Sequence, residues 1–468
     1  MALRFFNSLT RRVEDFVPLT AGEARLYTCG PTVYNFAHIG NFRAYLFEDL
    51  LRRTLEYAGL RVIQVMNLTD VDDKTIRGAR QAGVPLADYT RTYKEAFFED
   101  LRTLAIEPAE HYPAATDHIP EMIALVRTLI DKGFANVADD GSVYFSIARF
   151  PRYGQLVNLR REQMRPTERV RSDEYVKDAA ADFALWKAYS EEDGAVFWDS
   201  PWGRGRPGWH IECSAMSMRY LGRTFDIHTG GIDNMFPHHE NEIAQSEAAN
   251  GCRFVNYWLH CAHLMVDGEK MAKSAGNFYT LRDLIGRGGN GREIRWVLLG
   301  THYRQPLNFS FQACRDAKAA LQRLDDFVVR LREAQARSGP SDAAVAGLIA
   351  DAESGFRAGL DDDLNISEAL GALFNFVRDA NRLLDAGGLV GEGATAALAA
   401  LARIDRVLGV IEPGRQDDVP PGVAARARER QEARKARDFK RADAIREALR
   451  LDGWLIEDTP GGQRLKRL

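Results

Sequence analysis

The chain has 468 residues, 45% hydrophobic and 27% charged, with a formal net charge of −4. That length admits one large core with smaller domains beside it, and the composition is that of a soluble globular protein. The slight negative balance excludes a uniformly basic nucleic-acid coat but leaves room for a local basic patch.

Five scattered cysteines are odd in number and too sparse for a disulfide scaffold. The start, MALRFFNSLTRRVEDFVPL, has no continuous apolar stretch or small-residue cleavage site, and no run of apolar residues is long enough to span a bilayer. A reducing, cytoplasmic location without membrane association is expected.

RLYTCG, residues 25–30, reads as a short strand broken by Gly30 and Pro31. FRAYLFEDLLRRTLEYA, residues 42–58, reads as a helix. Phe42, Leu46, Leu50, Leu51 and Leu55 form its apolar face, and Arg52 and Arg53 are expected toward solvent. RVIQVMNL, residues 61–68, is a buried-looking strand, so the three elements suggest a βαβ unit in a parallel sheet. The following NLTDVDDK then falls at the carboxyl end of a strand, where open α/β sheets bind ligands.

Residues 88–106 and 117–133 read as helices, and ANVADDGSVYFSI as a hairpin turning at Asp-Gly. Residues 150–182 are polar and irregular, an expected inserted module or loop. Strand character resumes at FDIHTGG, residues 225–231. Residues 313–336 and 367–411 are Ala/Leu-rich with helical periodicity, which suggests a bundle. ARSGPSD, residues 336–342, is a turn between helices, and EPGRQDDVPPG, residues 412–422, has the composition of a linker.

Two groups of residues carry chemistry. HIECSAM holds Cys213, preceded by Trp209 and His210; farther on is FPHHENEIAQSEAAN. A helix over 239–250 would place His238 and Glu242 on one face at i,i+4. Cys29 can join Cys213, His238 and Glu242 in a four-ligand set whose thiolate, imidazole and carboxylate mixture favours zinc over calcium or magnesium. On spacing alone the plainer reading has the cysteines as buried core thiols, His238 as a capping or core residue and Glu242 as a solvated helix position. His239 and Glu240 are alternative ligands, disfavoured as a pair because adjacent helical positions point apart.

The second group suits phosphate. His38, Ile39, Gly40 and Asn41 immediately precede the helix starting near Phe42, and backbone N–H groups at a helix start favour anions. Lys270 and Lys273 lie between Gly268 and Gly276 in DGEKMAKSAGN, where two lysines can neutralise charge on a transferred adenylyl group. No GxxxxGK[ST] motif is present, which excludes a P-loop ATPase.

CGPTVYNFAHIGN, NLTDVDDK, GRPGWHIECSAM, FDIHTGGIDNMFPHHENEIAQS, HLMVDGEKMAKSAGN and LDDDLNISEAL together resemble the class I aminoacyl-tRNA synthetases, and among them the cysteinyl-tRNA synthetases, nearly end to end. The resemblance implies an α/β fold: a Rossmann-like parallel-sheet catalytic domain over 1–312 with an inserted connective region at about 111–185, an all-helical bundle over 313–411, and a small anticodon-binding domain over 423–468. It implies activation of L-cysteine with ATP and transfer to tRNA(Cys), with zinc on Cys29, Cys213, His238 and Glu242 binding the substrate thiolate, and magnesium accompanying ATP. His38, Asn41, Lys270 and Lys273 match the catalytic signatures, and Gly40 and Ser274 join them in ATP binding. Gly30, Thr32, Thr69, Trp209, His228 and Asp233 resemble the amino-acid pocket. Asn41 stands where the family often has histidine, and Ala272 where it has the middle serine of its lysine loop. A monomer is expected.

Between Arg426 and Arg450 ten Lys/Arg face five Asp/Glu, an excess suited to tRNA phosphates. Trp454 can stack on a base or, more commonly for Trp-Leu-Ile, fill a core. Asn365 with Glu368 fits an N-cap. A cysteine ligase acting on an amino sugar shares the signatures and the metal set but lacks the full tail. A non-catalytic tRNA-binding paralogue would keep the tail and lose the signatures.

Overall fold

The computed structural model describes residues 2–158, 182–272, 276–411, 420–459 and 462–467. Its centre is a four-stranded, all-parallel sheet of β1 (Glu23–Thr28), β2 (Arg61–Met66), β3 (Phe225–Gly231) and β4 (Val255–Cys261), in the order β4–β3–β1–β2. β3 is buried over six of its seven residues, as a parallel strand covered on both faces must be. Helix α1 (Ile39–Tyr57) crosses from β1 to β2 and completes the βαβ unit. β1 and β3 are neighbours although the chain between them holds about two hundred residues; Thr28 faces Thr229 across the pair. Their carboxyl ends therefore open at one place.

The intervening chain contains helices Asp73–Ala82, Leu86–Thr103 and Ile119–Asp131. It also contains the expected hairpin, Ala135–Val137 with Val143–Phe145, which belongs to a five-stranded antiparallel sheet reaching Pro207. Most of the irregular stretch at 150–182 lies outside the described residues. Two further helices, α2 (Trp209–Leu221) and α3 (Glu240–Asn250), flank β3 in sequence.

Beyond Phe309 come helices Phe311–Gln335, Ala344–Asp361, Ile366–Asp385 and Gly391–Leu408. One cluster of buried apolar side chains runs from Leu26 through Leu46 and Leu50 of α1 to Leu298, Leu401 and Ile404. Residues 1–413 thus form one unit and 414–468 another. Asn365 caps its helix as expected, accepting from the Glu368 amide at 3.3 Å.

Arg52 and Arg53 correct the amphipathic reading of α1. Both are buried. Arg52 grips Glu110 with two hydrogen bonds of 2.9 and 2.8 Å. Arg53 bonds Asp49 at 2.8 Å and donates to the carbonyls of Arg406 and Ala105. Periodicity identifies the most apolar stripe of a helix but not how many faces are covered. Here the sheet covers one side and the later helices cover the other, so the charged side chains are inside and paired.

The second unit contains helices Pro421–Lys435 and Phe439–Leu451 and an antiparallel pair, Trp454–Thr459 with Gly462–Arg467. Trp454 is in its core with Val423, Ala427, Leu449 and Ile456, not offered for stacking. Six of the ten basic residues between 426 and 450 are in ion pairs within the unit: Arg426, Arg430, Arg434, Arg441, Arg446 and Arg450. No helix of the described residues is long and apolar enough to cross a membrane.

Candidate active site and metal centre

The ends of β1 and β3 carry the site. Cys29 follows β1 directly, and its amide donates to the Thr229 carbonyl of β3 at 3.3 Å. Cys213 lies in the first turns of α2, buried. His238 is in the turn Met235–His239 that enters α3, and Glu242 is one turn farther on. Ligand atoms of Cys29, Cys213, His238 and Glu242 all lie within 4.8 Å of one another.

The arrangement fits a cation. His238 Nε2 is 3.1 Å from Glu242 Oε1, yet that oxygen accepts no hydrogen bond among the described residues. A nitrogen and an oxygen this close with no hydrogen bond between them can both ligate one cation. The other nitrogen of His238, Nδ1, is held by His210 Nδ1 at 2.9 Å, and Trp209 stacks on the ring at 4.2 Å. Such outer contacts set the orientation of a ligating imidazole. Without a cation the acids are held neutral. Contact with Cys213 and then burial push the Cys29 thiol well up, and burial does the same to Glu242. Burial, with His210 and His228 nearby, pushes His238 well down. A divalent charge reverses the pressure on the Cys29 thiol and the Glu242 carboxyl.

A second set shares Cys29 and Glu242 and replaces the other two ligands with His228 and His239. Its contacts are of a different kind. His239 Nε2 is hydrogen-bonded to Cys29 Sγ at 3.3 Å, and His228 Nε2 to Glu242 Oε2 at 3.0 Å. His239 Nδ1 meets His260 Nε2 at 2.8 Å, and His260 Nδ1 meets Ser8 Oγ at 2.8 Å. These imidazoles back the ligands from behind. Only the first set offers two sulfurs, the softer donor group. Burial lowers His228 and His260 to about 3, so both are neutral.

The phosphate corner is built around His38, the N-cap of α1. Its Nδ1 accepts from the Asn41 amide at 3.1 Å, and Asn41 Oδ1 accepts from the His38 amide at 3.1 Å. With Nδ1 accepting, a neutral ring carries its proton on Nε2. A Cβ at Gly40 would come within 3.0 Å of the His38 ring and 3.2 Å of Met271 Cε, so a side chain there would crowd the imidazole. The Ile39 amide donates to the Tyr279 carbonyl at 3.0 Å, which brings the lysine loop to this corner. Lys270 is exposed on that loop. Asn277 clips the loop's two limbs, accepting from the Ala272 amide at 2.8 Å and donating to the Lys270 carbonyl at 3.3 Å. Lys273 and Ser274 lie outside the described residues.

Of the proposed pocket residues, Thr32 and Thr69 are joined by backbone bonds from Val33 to Thr69 and from Thr69 to Pro31. Gly30 sits beside them, its amide on Asn67 Oδ1 at 2.9 Å. Asp233 occupies the turn Ile232–Asn234 after β3. Trp209 is 39% exposed over His238. His228 is fully buried behind Glu242.

Residues 15–319 match the family described as tRNA synthetases class I (C) catalytic domain, and residues 355–412 match the DALR domain. The cysteine--tRNA ligase of Protochlamydia amoebophila is 52% identical over 99% of this chain and 98% of its own length.

The chain belongs to the cysteine--tRNA ligase family.

The family's Brachyspira hyodysenteriae member is 50% identical, covering 99% of both chains. Among solved structures, Mycobacterium tuberculosis methionyl-tRNA synthetase in complex with methionyl-adenylate superposes with a TM-score of 0.62, covering 84% of this chain and 91% of that one. At 16% identity that likeness speaks to fold, which is the class I synthetase architecture. Several members of the buried cluster carry no spacing signal of their own. His210, His239 and His260 stand beside motif residues, and only their burial together marks them as one group.

Proposed function

We propose that the chain activates L-cysteine with ATP, giving cysteinyl-adenylate and diphosphate, and then transfers the cysteinyl group to tRNA(Cys) with release of AMP. The observation that carries this reading is the four-donor set of Cys29, Cys213, His238 and Glu242 at the carboxyl ends of β1 and β3.

Those four residues hold zinc. Zinc bound there supplies a soft Lewis acid for which a thiolate is a far better ligand than a hydroxyl, and this separates cysteine from serine beyond what a cavity differing by one atom achieves. Trp209 covers the amino acid, and Gly30, Thr32, Thr69, His228 and Asp233 shape its pocket. The substrate carboxylate attacks the α-phosphorus of ATP, which magnesium accompanies. His38 donates from Nε2, while Lys270 and Lys273, with Gly40, Asn41 and Ser274 beside them, stabilise the phosphate charge. A terminal ribose hydroxyl of the tRNA then attacks the adenylate carbonyl. The catalytic domain spans 1–312, the helical bundle 313–411, and a tRNA-reading domain 423–468; the chain acts as a cytoplasmic monomer.

The test is aminoacylation of total tRNA with each amino acid, with and without a metal chelator. Cysteine-specific, chelator-sensitive charging is expected. Adenylate formation with no tRNA charging would overturn the reading in favour of a small-molecule cysteine ligase.

A further inference from the structure

The two cysteines of the metal set come from elements far apart in sequence, and side chains tie their neighbours together. The amide of Gly30, next to Cys29, donates to Asn67 Oδ1 at 2.9 Å. Asn67 Nδ2 donates to Thr69 Oγ1 at 3.2 Å, and that hydroxyl donates to Glu212 Oε2 at 3.0 Å. Glu212 is next to Cys213. The bridge thus runs from the end of β1, across the chain just after β2, to the first turn of α2. Asn67 and Thr69 are 2% exposed and Glu212 is wholly buried. A Cβ on Gly30 would lie 1.8 Å from the Asn67 carbonyl oxygen, so the strand ends meet at this point only because Gly30 has no side chain.

Glu212 is poorly explained by folding. Among the described residues no cation pairs with it, and its second oxygen, Oε1, has no hydrogen-bond partner. A buried carboxyl so placed is a burden on stability, and an apolar residue of similar volume folds as well or better. We infer that Glu212 is a positioning residue for the metal centre, fixing the separation of Cys29 and Cys213 through Thr69 and Asn67. This rests on the zinc-cysteine reading above. Thr69 also lies in the proposed amino-acid pocket, so the same bridge couples the spacing of the thiols to the wall that meets the substrate. A spacing error would show first in metal–sulfur bonding and in cysteine affinity, before any effect on ATP.

The test substitutes cobalt(II) for the native metal and compares the wild-type chain with Glu212→Leu, Glu212→Gln and Thr69→Val. Thiolate-to-cobalt absorption reports sulfur ligation directly, without tRNA or turnover. Glu212→Leu is expected to keep or raise the melting temperature, to weaken cobalt binding by about 10–100-fold, as loss of an outer contact does, and to shift the thiolate band. In ATP–diphosphate exchange it raises KM for cysteine and leaves KM for ATP unchanged. Glu212→Gln, whose carbonyl still accepts from Thr69, restores the wild-type spectrum. If Glu212→Leu does not fold, Thr69→Val decides by the same spectral shift. Wild-type affinity and spectrum in folded Glu212→Leu would overturn the inference. A wild-type chain without thiolate-to-cobalt absorption would instead overturn the metal reading beneath it.

Discussion

His38 and Asn41 cap each other: each backbone amide donates to the other's side chain at 3.1 Å. Asn41 thereby acts on His38. It holds the imidazole at the start of α1 and leaves Nε2 as the donating nitrogen.

Asn41→Ala removes half of this exchange. Losing the hydrogen bond from the His38 amide costs about 1 kcal/mol, and a loosened His38 is expected to lower kcat for ATP–diphosphate exchange by about tenfold or more. Asn41→Asp keeps the acceptor for the His38 amide and should retain the stability. Urea titration and exchange kinetics on the two variants check this; equal stability of the wild type and Asn41→Ala would refute it.

The metal set predicts different outcomes for adjacent histidines. His238→Ala removes a ligand and should leave the purified protein without stoichiometric metal. His239→Ala removes only the group behind Cys29, and metal is retained with affinity lower by about 10–100-fold. Metal analysis after dialysis distinguishes them. The reverse pattern would move the ion to the set containing His228 and His239.

Acid should weaken the metal-free protein. His228 and His260 sit at about 3 in the folded chain because burial disfavours their charged form, and unfolding returns them to about 6.5. Between those values the unfolded chain holds more protons, so their contribution is complete above about 6.5 and is lost as pH falls toward 3. Glu48, Glu212 and Glu242, raised by burial, act in the opposite sense as pH climbs above about 4.5. The difference between wild type and His260→Gln isolates the imidazole. Melting temperatures from pH 8 to pH 5 should fall less steeply in the variant.

Asp49 joins α1 to the later helices. It receives Arg53 Nε at 2.8 Å and Arg295 Nη2 at 2.6 Å, and Arg295 also donates to the Leu408 carbonyl at 2.7 Å. Asp49→Ala leaves the buried Arg295 guanidinium without an acid and Arg53 with Glu107 alone, which costs about 3–5 kcal/mol. Urea titration should show that loss; a midpoint within error of wild type would mean the cluster is better solvated than its burial implies.

In the C-terminal unit, Lys435, Arg437 and Lys440 are exposed and make no ion pair with a described residue. Reversing all three to Glu is expected to raise KM for tRNA by about tenfold at moderate salt and to flatten its salt dependence. ATP–diphosphate exchange should be unaffected. Reversal of Arg430, buried against Asp458, should instead unfold the unit.

What could be read from the residues depended on the range of the signal. The strand-turn-helix at 25–58 and the His238–Glu242 spacing are local, and both are present in the structure. Cys29 and Cys213 had no spacing to connect them; similarity of whole motifs did so, because the adjacency of β1 and β3 is a property of the sheet. The placement of Arg52 and Arg53 failed for a related reason. What covers the second face of α1 is encoded at 105–110 and again after Gly291, too distant for any window. Glu212 stands one residue before Cys213 and carries no motif of its own. A lone acid in a largely apolar helix start was the available clue.

The pairing of β1 with β3 also orders events in time. Cys29 and His239 are 210 residues apart. At roughly 5–20 residues per second, a ribosome takes about 10–40 s to make the chain between them. Through most of that interval the strand leading to Cys29 has β2 beside it but not β3, and Cys213, His238 and Glu242 are not yet made. The four-donor cluster therefore closes late in synthesis, only once Glu242 has been made.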